Sequence, residues 1–124
     1  MKDVNILIEG GADINKALEL FGEMDMYEAT LNDFLAEVEN KLNRIEKYRE
    51  ENNMPSYAIE VHSLKSDARY LGFSKLAELA YQHELKSKEN DSSFVNVHFD
   101  ELAKEYNKVL EIAKNYTEHN PVAP

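Results

Sequence analysis

Apolar residues recur at the spacing of an α-helix along most of this chain, and the residues that break helices fall in the gaps between those stretches. Gly10, Gly11, Gly22, Gly72, Pro55, Pro121 and Pro124 are its only glycines and prolines. Asp13 is placed to cap a short helix from Ile14 to Phe21, apolar at Ile14, Ala17, Leu18 and Phe21, with Gly22 at its stop. Asp25 with Glu28 resembles a capping box, and Tyr27, Leu31, Phe34, Leu35, Val38, Leu42 and Ile45 then predict a long amphipathic helix to about Arg49. A third helix begins near Pro55, whose fixed φ suits a first turn, and carries Tyr57, Val61, Leu64, Ala68 and Leu71 before Gly72. Ser74 is placed to cap a fourth, with Leu76, Leu79, Ala80 and His83 on one side. Ser92 or Ser93 opens a fifth, striped by Val95, Phe99, Leu102, Tyr106, Val109, Ala113 and Tyr116.

No strand alternation and no internal repeat competes with this pattern. Long helices joined by short connections predict an all-α fold: an antiparallel up-down-up-down four-helix bundle with a short N-terminal capping helix. The expected organisation is a lead-in over 1–12, the bundle over 13–118 and a frayed tail over 119–124. With 124 residues in all, the chain has room for one core and for no second catalytic domain.

Charge and composition remove several classes of function. A formal net charge of −10 repels nucleic acid and anionic lipid. The absence of cysteine removes disulfides, thiolate metal sites and a thiol nucleophile, and no apolar run approaches a membrane span. A cytoplasmic location is expected, and the Asn90-Asp-Ser92 and Asn115-Tyr-Thr117 triplets carry no weight without an export signal. No Glu-x-x-His pair occurs, so a carboxylate-bridged dimetal bundle is rejected and no metal ligand set is expected.

The polar side of the third helix is unusual for so acidic a chain. At about 100° per residue, His62 lies about 140° from the centre of the apolar stripe, on the solvent side, with Lys65, Ser66 and Arg69 nearby. Ile59 and Tyr70 flank the same strip as apolar side chains on a face that should be solvated, which suits docking of a partner. Ala58, Ser63 and Ser66 are small enough to leave the imidazole standing clear. An exposed imidazole beside cations is suited to attack on an anionic electrophile, phosphoryl foremost. Most exposed histidines on helices are inert, and Lys and Arg at these spacings are common solubility charges.

The segment His62-Ser-Leu-Lys65-Ser66-x-x-Arg69-x-x-Gly72 resembles the signature of histidine phosphotransfer (HPt) domains, and the forms attached to hybrid sensor kinases most of all. Ala17-Leu-Glu-Leu-Phe-Gly22 with Tyr27 and Leu31 to Phe34 is similar to the start of that family, and His98-Phe-Asp-Glu-Leu102 with Tyr106 to its last helix. The likeness spans about residues 10 to 117. It implies that His62 takes a phosphoryl group from an aspartyl phosphate on a receiver domain and gives it to another, without kinase activity of its own. The receivers belong to response regulators or hybrid histidine kinases, and Mg²⁺ comes with the receiver; the chain itself carries no cofactor. The resemblance sets Lys65 beside the phosphoryl oxygens, Ser66 where glycine is commonest, Arg69 as added charge, and Gly72 at the turn. It also implies a polar partner for the second imidazole nitrogen from the next helix; counting from Gly72 gives Glu84, with Gln82 and Lys86 as near alternatives.

Neutral imidazole attacks without a general base, so no triad is required. His83 is expected in the core, His98 as a packing residue near a helix end, and His119 in the tail. The alternative to a phosphoryl carrier is an adaptor that docks a receiver or partner helix without chemistry. The His62–Lys65 pairing favours the carrier. A monomer is expected, since self-association through Ile59 and Tyr70 would compete with docking.

Overall fold

A computed structural model of the chain describes residues 3–118. The described residues form six helices: α1 (Asn5–Glu9), α2 (Ile14–Phe21), α3 (Met24–Glu50), α4 (Met54–Leu71), α5 (Ser74–Lys88) and α6 (Ser92–Glu118). Helix α3 packs on α4, α4 on α5, α5 on α6, and α6 closes back on α3; α2 lies against α3 and α4, and α1 against α6. The expected tail over 119–124, with His119, lies outside the described residues.

Burial follows the helical period. Tyr57, Val61, Leu64, Ala68 and Leu71 of α4 are all buried, as are Tyr27, Leu31, Phe34, Val38 and Ile45 of α3 and the whole expected stripe of α6. Leu35, Leu42 and Leu79 lie at the rim, only partly buried. Each fully buried leucine is worth about 2 kcal/mol of transfer free energy, so Leu64 and Leu71 alone set the rotation of α4 about its axis firmly. Three tyrosines span the core and end on acceptors: Tyr27 on the Leu71 carbonyl, Tyr106 on the Val38 carbonyl and Tyr116 on Glu28, at 2.6–2.7 Å.

The helix ends correct several expectations. Asp13 caps α2 as expected, accepting from the Lys16 N–H at 3.1 Å. Asp25 forms no capping box: α3 begins at Met24, with extended Glu23 as its N-cap and no side-chain bond, because the turn at Gly22 delivers the chain already extended. Asp25 sits in the first turn, where its charge complements the helix dipole. Ser74 is likewise inside α5, and the cap position falls on Phe73, which is buried and bridged to Ala12. Ser92 opens α6 as expected, and Asp91 before it is the cap, accepting from the Phe94 N–H at 3.0 Å. The lead-in contains α1, whose Leu7 is fully buried; five residues are too few to show a period in sequence.

Gly72 closes α4 in the left-handed region, at φ 84° and ψ 9°. Its carbonyl also accepts from the Asp13 N–H at 2.8 Å, and a Cβ added there would stand 2.6 Å from the Asp13 carbonyl oxygen. The glycine therefore serves two elements, the turn into α5 and the docking of α2. Gly72→Ala should lower stability by about 3 kcal/mol, combining left-handed strain with displacement of backbone that cannot yield. Chemical denaturation measures it, and a loss below 1 kcal/mol would show that α2 moves aside freely.

His83 is buried as expected. Its Nε2–H donates to the His98 carbonyl at 3.2 Å, so Nδ1 accepts from the Tyr57 hydroxyl at 2.8 Å. Burial pushes its pKa down to about 4, against the smaller opposing effect of the His98 carbonyl. The unfolded chain then takes up a proton that the folded chain refuses as pH falls from 6.5 to 4. Stability should be full above pH 6.5 and lose about 3 kcal/mol across that window. Denaturation midpoints against pH, in wild type and His83→Gln, measure it; an equal slope in both would assign the loss to another group. His98 stacks on Phe94 with ring centroids 4.3 Å apart near the start of α6, a packing role as expected.

Candidate functional site

The site follows from the rotation of α4. With Val61, Leu64 and Ala68 turned inward, His62 is turned out, and 56% of its side chain is exposed. Helix α5 crosses beside it and supplies the carboxylate of Glu84, whose Oε2 lies 2.5 Å from His62 Nδ1. The other oxygen, Oε1, accepts from Lys65 Nζ at 2.6 Å. Glu84 is no surface glutamate; its side chain is only 3% exposed. The alternatives on α5 are turned elsewhere: Gln82 donates to Glu78, and Lys86 pairs with Glu89.

Burial alone would raise the pKa of the Glu84 carboxyl, but hydrogen bonds from Lys65, Lys88 and His62 outweigh it and bring the value down to about 2. The group is therefore ionised at neutral pH and can only accept. The proton in its bond with His62 belongs to the imidazole, which fixes Nδ1 as the protonated nitrogen. Nε2, at the opposite edge of a largely exposed ring, has no partner among the described residues. The arrangement presents one nucleophilic nitrogen toward solvent, with a fixed negative charge behind the ring.

Lys65 differs from a cation waiting in solvent. Only 12% of its side chain is exposed, its ammonium is bound to Glu84, and it lies 5.2 Å from the centre of the Tyr81 ring. Arg69 is exposed and stands over the same ring at 5.8 Å. Ser66 is half-buried on the same helix. Ala58 is buried and lines a groove of about 570 Å³ that Pro55, Ile59, His62 and Lys88 also line. Ile59 is 70% exposed on that groove. Tyr70, also exposed, lines a separate cavity with Leu20, Arg69 and Gly72. Ile59 and Tyr70 share a face of the helix, but eleven residues separate them by about 16 Å along its axis. They do not form one patch.

Two charged residues were not found by sequence reasoning. Lys88 donates to Glu84 Oε2 at 2.9 Å, on the same oxygen as the imidazole. Its spacing of four residues from Glu84 on one helix was the available signal. Lys41 of α3 is buried and donates to Ser63 Oγ at 2.7 Å, with Asp67 at 3.9 Å, which ties α3 to the far side of the helix bearing His62. It sits within the apolar period of α3 and gave no signal. No group of His, Asp and Glu suited to hold a metal ion occurs among the described residues.

An all-helical protein with an exposed imidazole held by a buried carboxylate on the neighbouring helix is the class of protein these observations define. A family model of the Hpt domain matches residues 29–112, more than half of the chain. The chain belongs to the Hpt domain family, whose role is phosphotransfer in two-component signalling through interaction with receiver domains. No curated protein and no solved structure matches it. Among the described residues no helix is long and apolar enough to cross a membrane.

Proposed function

We propose that this domain carries a phosphoryl group on Nε2 of His62, accepting it from an aspartyl phosphate on one receiver and passing it to another. The observation that carries the reading is the bond from His62 Nδ1–H to ionised Glu84, which directs the one free lone pair of the ring outward. In the forward step the Nε2–P bond forms and the acyl O–P bond breaks, the receiver carboxylate leaving with the electron pair. The ring keeps its Nδ1 proton and gains positive charge, which Glu84 faces at 2.5 Å. In the return step a receiver carboxylate attacks phosphorus and the ring leaves as neutral imidazole, so no proton moves in either direction. Catalysis is then positioning and charge balance, with Mg²⁺ brought by the receiver.

Lys65 holds Glu84 in place and balances its charge, Arg69 adds positive potential along the approach, and small Ser66 leaves space for the donor. Ile59, on the groove beside the imidazole, is the apolar contact for the receiver, and Tyr70 is a second contact farther along α4. The scaffold we propose is the up-down-up-down antiparallel bundle of α3 to α6, acting as a monomer in the cytoplasm. A module that only docks has no use for a carboxylate buried beneath an exposed imidazole, which weighs against the adaptor reading. Incubation with a panel of phosphorylated receivers tests the proposal. The expected result is an acid-labile, base-stable label on a single imidazole, and a chain that takes no label from any receiver would overturn it.

A further inference from the structure

Glu84 presents a difficulty as well as an advantage to the histidine. A bare carboxylate against Nδ1–H favours a second proton on the ring, and the only place for it is Nε2, the nitrogen that must stay free. Two ammonium groups oppose this. Lys65 occupies Oε1, and Lys88 occupies Oε2, the oxygen that also takes the imidazole. With both in place, the cluster of Glu84, Lys65 and Lys88 carries a net positive charge around a neutral ring.

The two lysines differ in their freedom. Lys65 is nearly enclosed, whereas the side chain of Lys88 is 60% exposed and lines the same groove as His62. Other charges near the site are engaged elsewhere. On α4, Glu60 is paired with Arg44 of α3, and Asp67 faces Lys41. On α5, His83 faces Tyr57 and the His98 carbonyl, and Lys86 faces Glu89. Arg69 lies over Tyr81. Lys75 is paired with Glu105 of α6.

We infer that Lys88 is a positioning residue for the chemistry of His62: by sharing Glu84 Oε2 with the imidazole, it restrains the carboxylate from drawing a second proton onto Nε2. The inference rests on His62 as the phosphoryl carrier for its purpose, but its physical content is a property of the unphosphorylated protein. An exposed unit charge that shares Glu84 Oε2 with the ring changes its proton affinity about threefold, or half a pH unit.

The test is the pH titration of the His62 ring carbon–proton resonances, assigned by their loss in His62→Gln, in wild type, Lys88→Met and Lys88→Arg. Lys88→Met should move the midpoint up by about half a pH unit, and Lys88→Arg should restore it. The acid limb of labelling by phosphoramidate, a small donor that needs no receiver, should move with it. A midpoint in Lys88→Met equal to that of wild type would overturn the inference, as would a shift that Lys88→Arg fails to restore, because a merely structural lysine would produce it. If no receiver labels the protein while the titration depends on Lys88, the phosphorelay reading falls and the assignment of Lys88 stands.

Discussion

His62→Gln should abolish phosphoryl labelling by every receiver that labels the wild-type protein, while the melting temperature stays within about 2 °C of wild type. Glutamine has no nucleophilic nitrogen, so the chemical effect is complete instead of partial. The stability effect is small because the ring is mostly exposed, and the Glu84 carboxylate that it bonds keeps both lysines as partners. Labelling followed by mass spectrometry, with a parallel thermal melt, checks both halves. A variant that still takes a base-stable label would move the acceptor to another residue. A variant that loses label and also unfolds would show that the imidazole is part of the packing.

Glu84 should be the more consequential position for the protein as a whole, since it is where site and fold meet. Glu84→Ala removes the carboxylate that Lys65 needs in a nearly closed environment, and leaving that ammonium unpaired should cost about 3 kcal/mol of stability. The same change frees the imidazole to rotate and removes the charge facing the phosphorylated ring, so transfer should slow by about tenfold or more. Glu84→Gln separates the two effects: it keeps the shape and an acceptor oxygen for Nδ1–H but loses the charge, so it should retain more stability than alanine while still slowing transfer.

The pH dependence gives an independent reading of the same residue. The folded pKa of Glu84 is depressed from 4.5 to about 2. The stability that its ionised form contributes is therefore complete above pH 4.5 and lost as pH falls toward 2. In Glu84→Ala that acid limb should disappear, whereas the loss from pH 6.5 to 4 that belongs to His83 should remain. Urea titrations at a series of pH values distinguish the two. An unchanged acid limb in Glu84→Ala would mean that the carboxylate is held less tightly than its three partners imply.

Much of the fold was legible because burial in a helix is a local, periodic property. The stripe Tyr57, Val61, Leu64, Ala68 and Leu71 turns inward as its spacing predicts, and the same arithmetic places His62 outward. Gly72 at the end of α4 was legible for the same reason, because a left-handed stop has a short list of residues that suit it. The caps were less legible. Asp25 and Ser74 have side chains suited to capping, but Gly22 and Phe73 decided where α3 and α5 begin, whereas α6 opens at Ser92 as its pattern predicts, with Asp91 as the cap. A cap depends on where the preceding turn releases the chain, and that is a tertiary matter.

The candidate site divides along the same line. His62 and Lys65 were legible because they follow the period of one helix, and Glu84 was reached because the resemblance to HPt domains implies a polar partner on the next helix. That Glu84 is buried, that Lys65 is turned into it and that Lys88 completes the cluster were not available, because a glutamate or lysine is exposed by default and only a partner on another helix reverses that. Ala58 shows the converse: a small residue beside the histidine that the packing of α4 turns into the lining of a groove. The sequence by itself determined which way each helix faces, because water and the core act on every turn separately. Only the tertiary structure decided which side chains meet across α4 and α5, because the rotation and axial shift between two helices are set by the turn at Gly72 and by the packing of all their neighbours together.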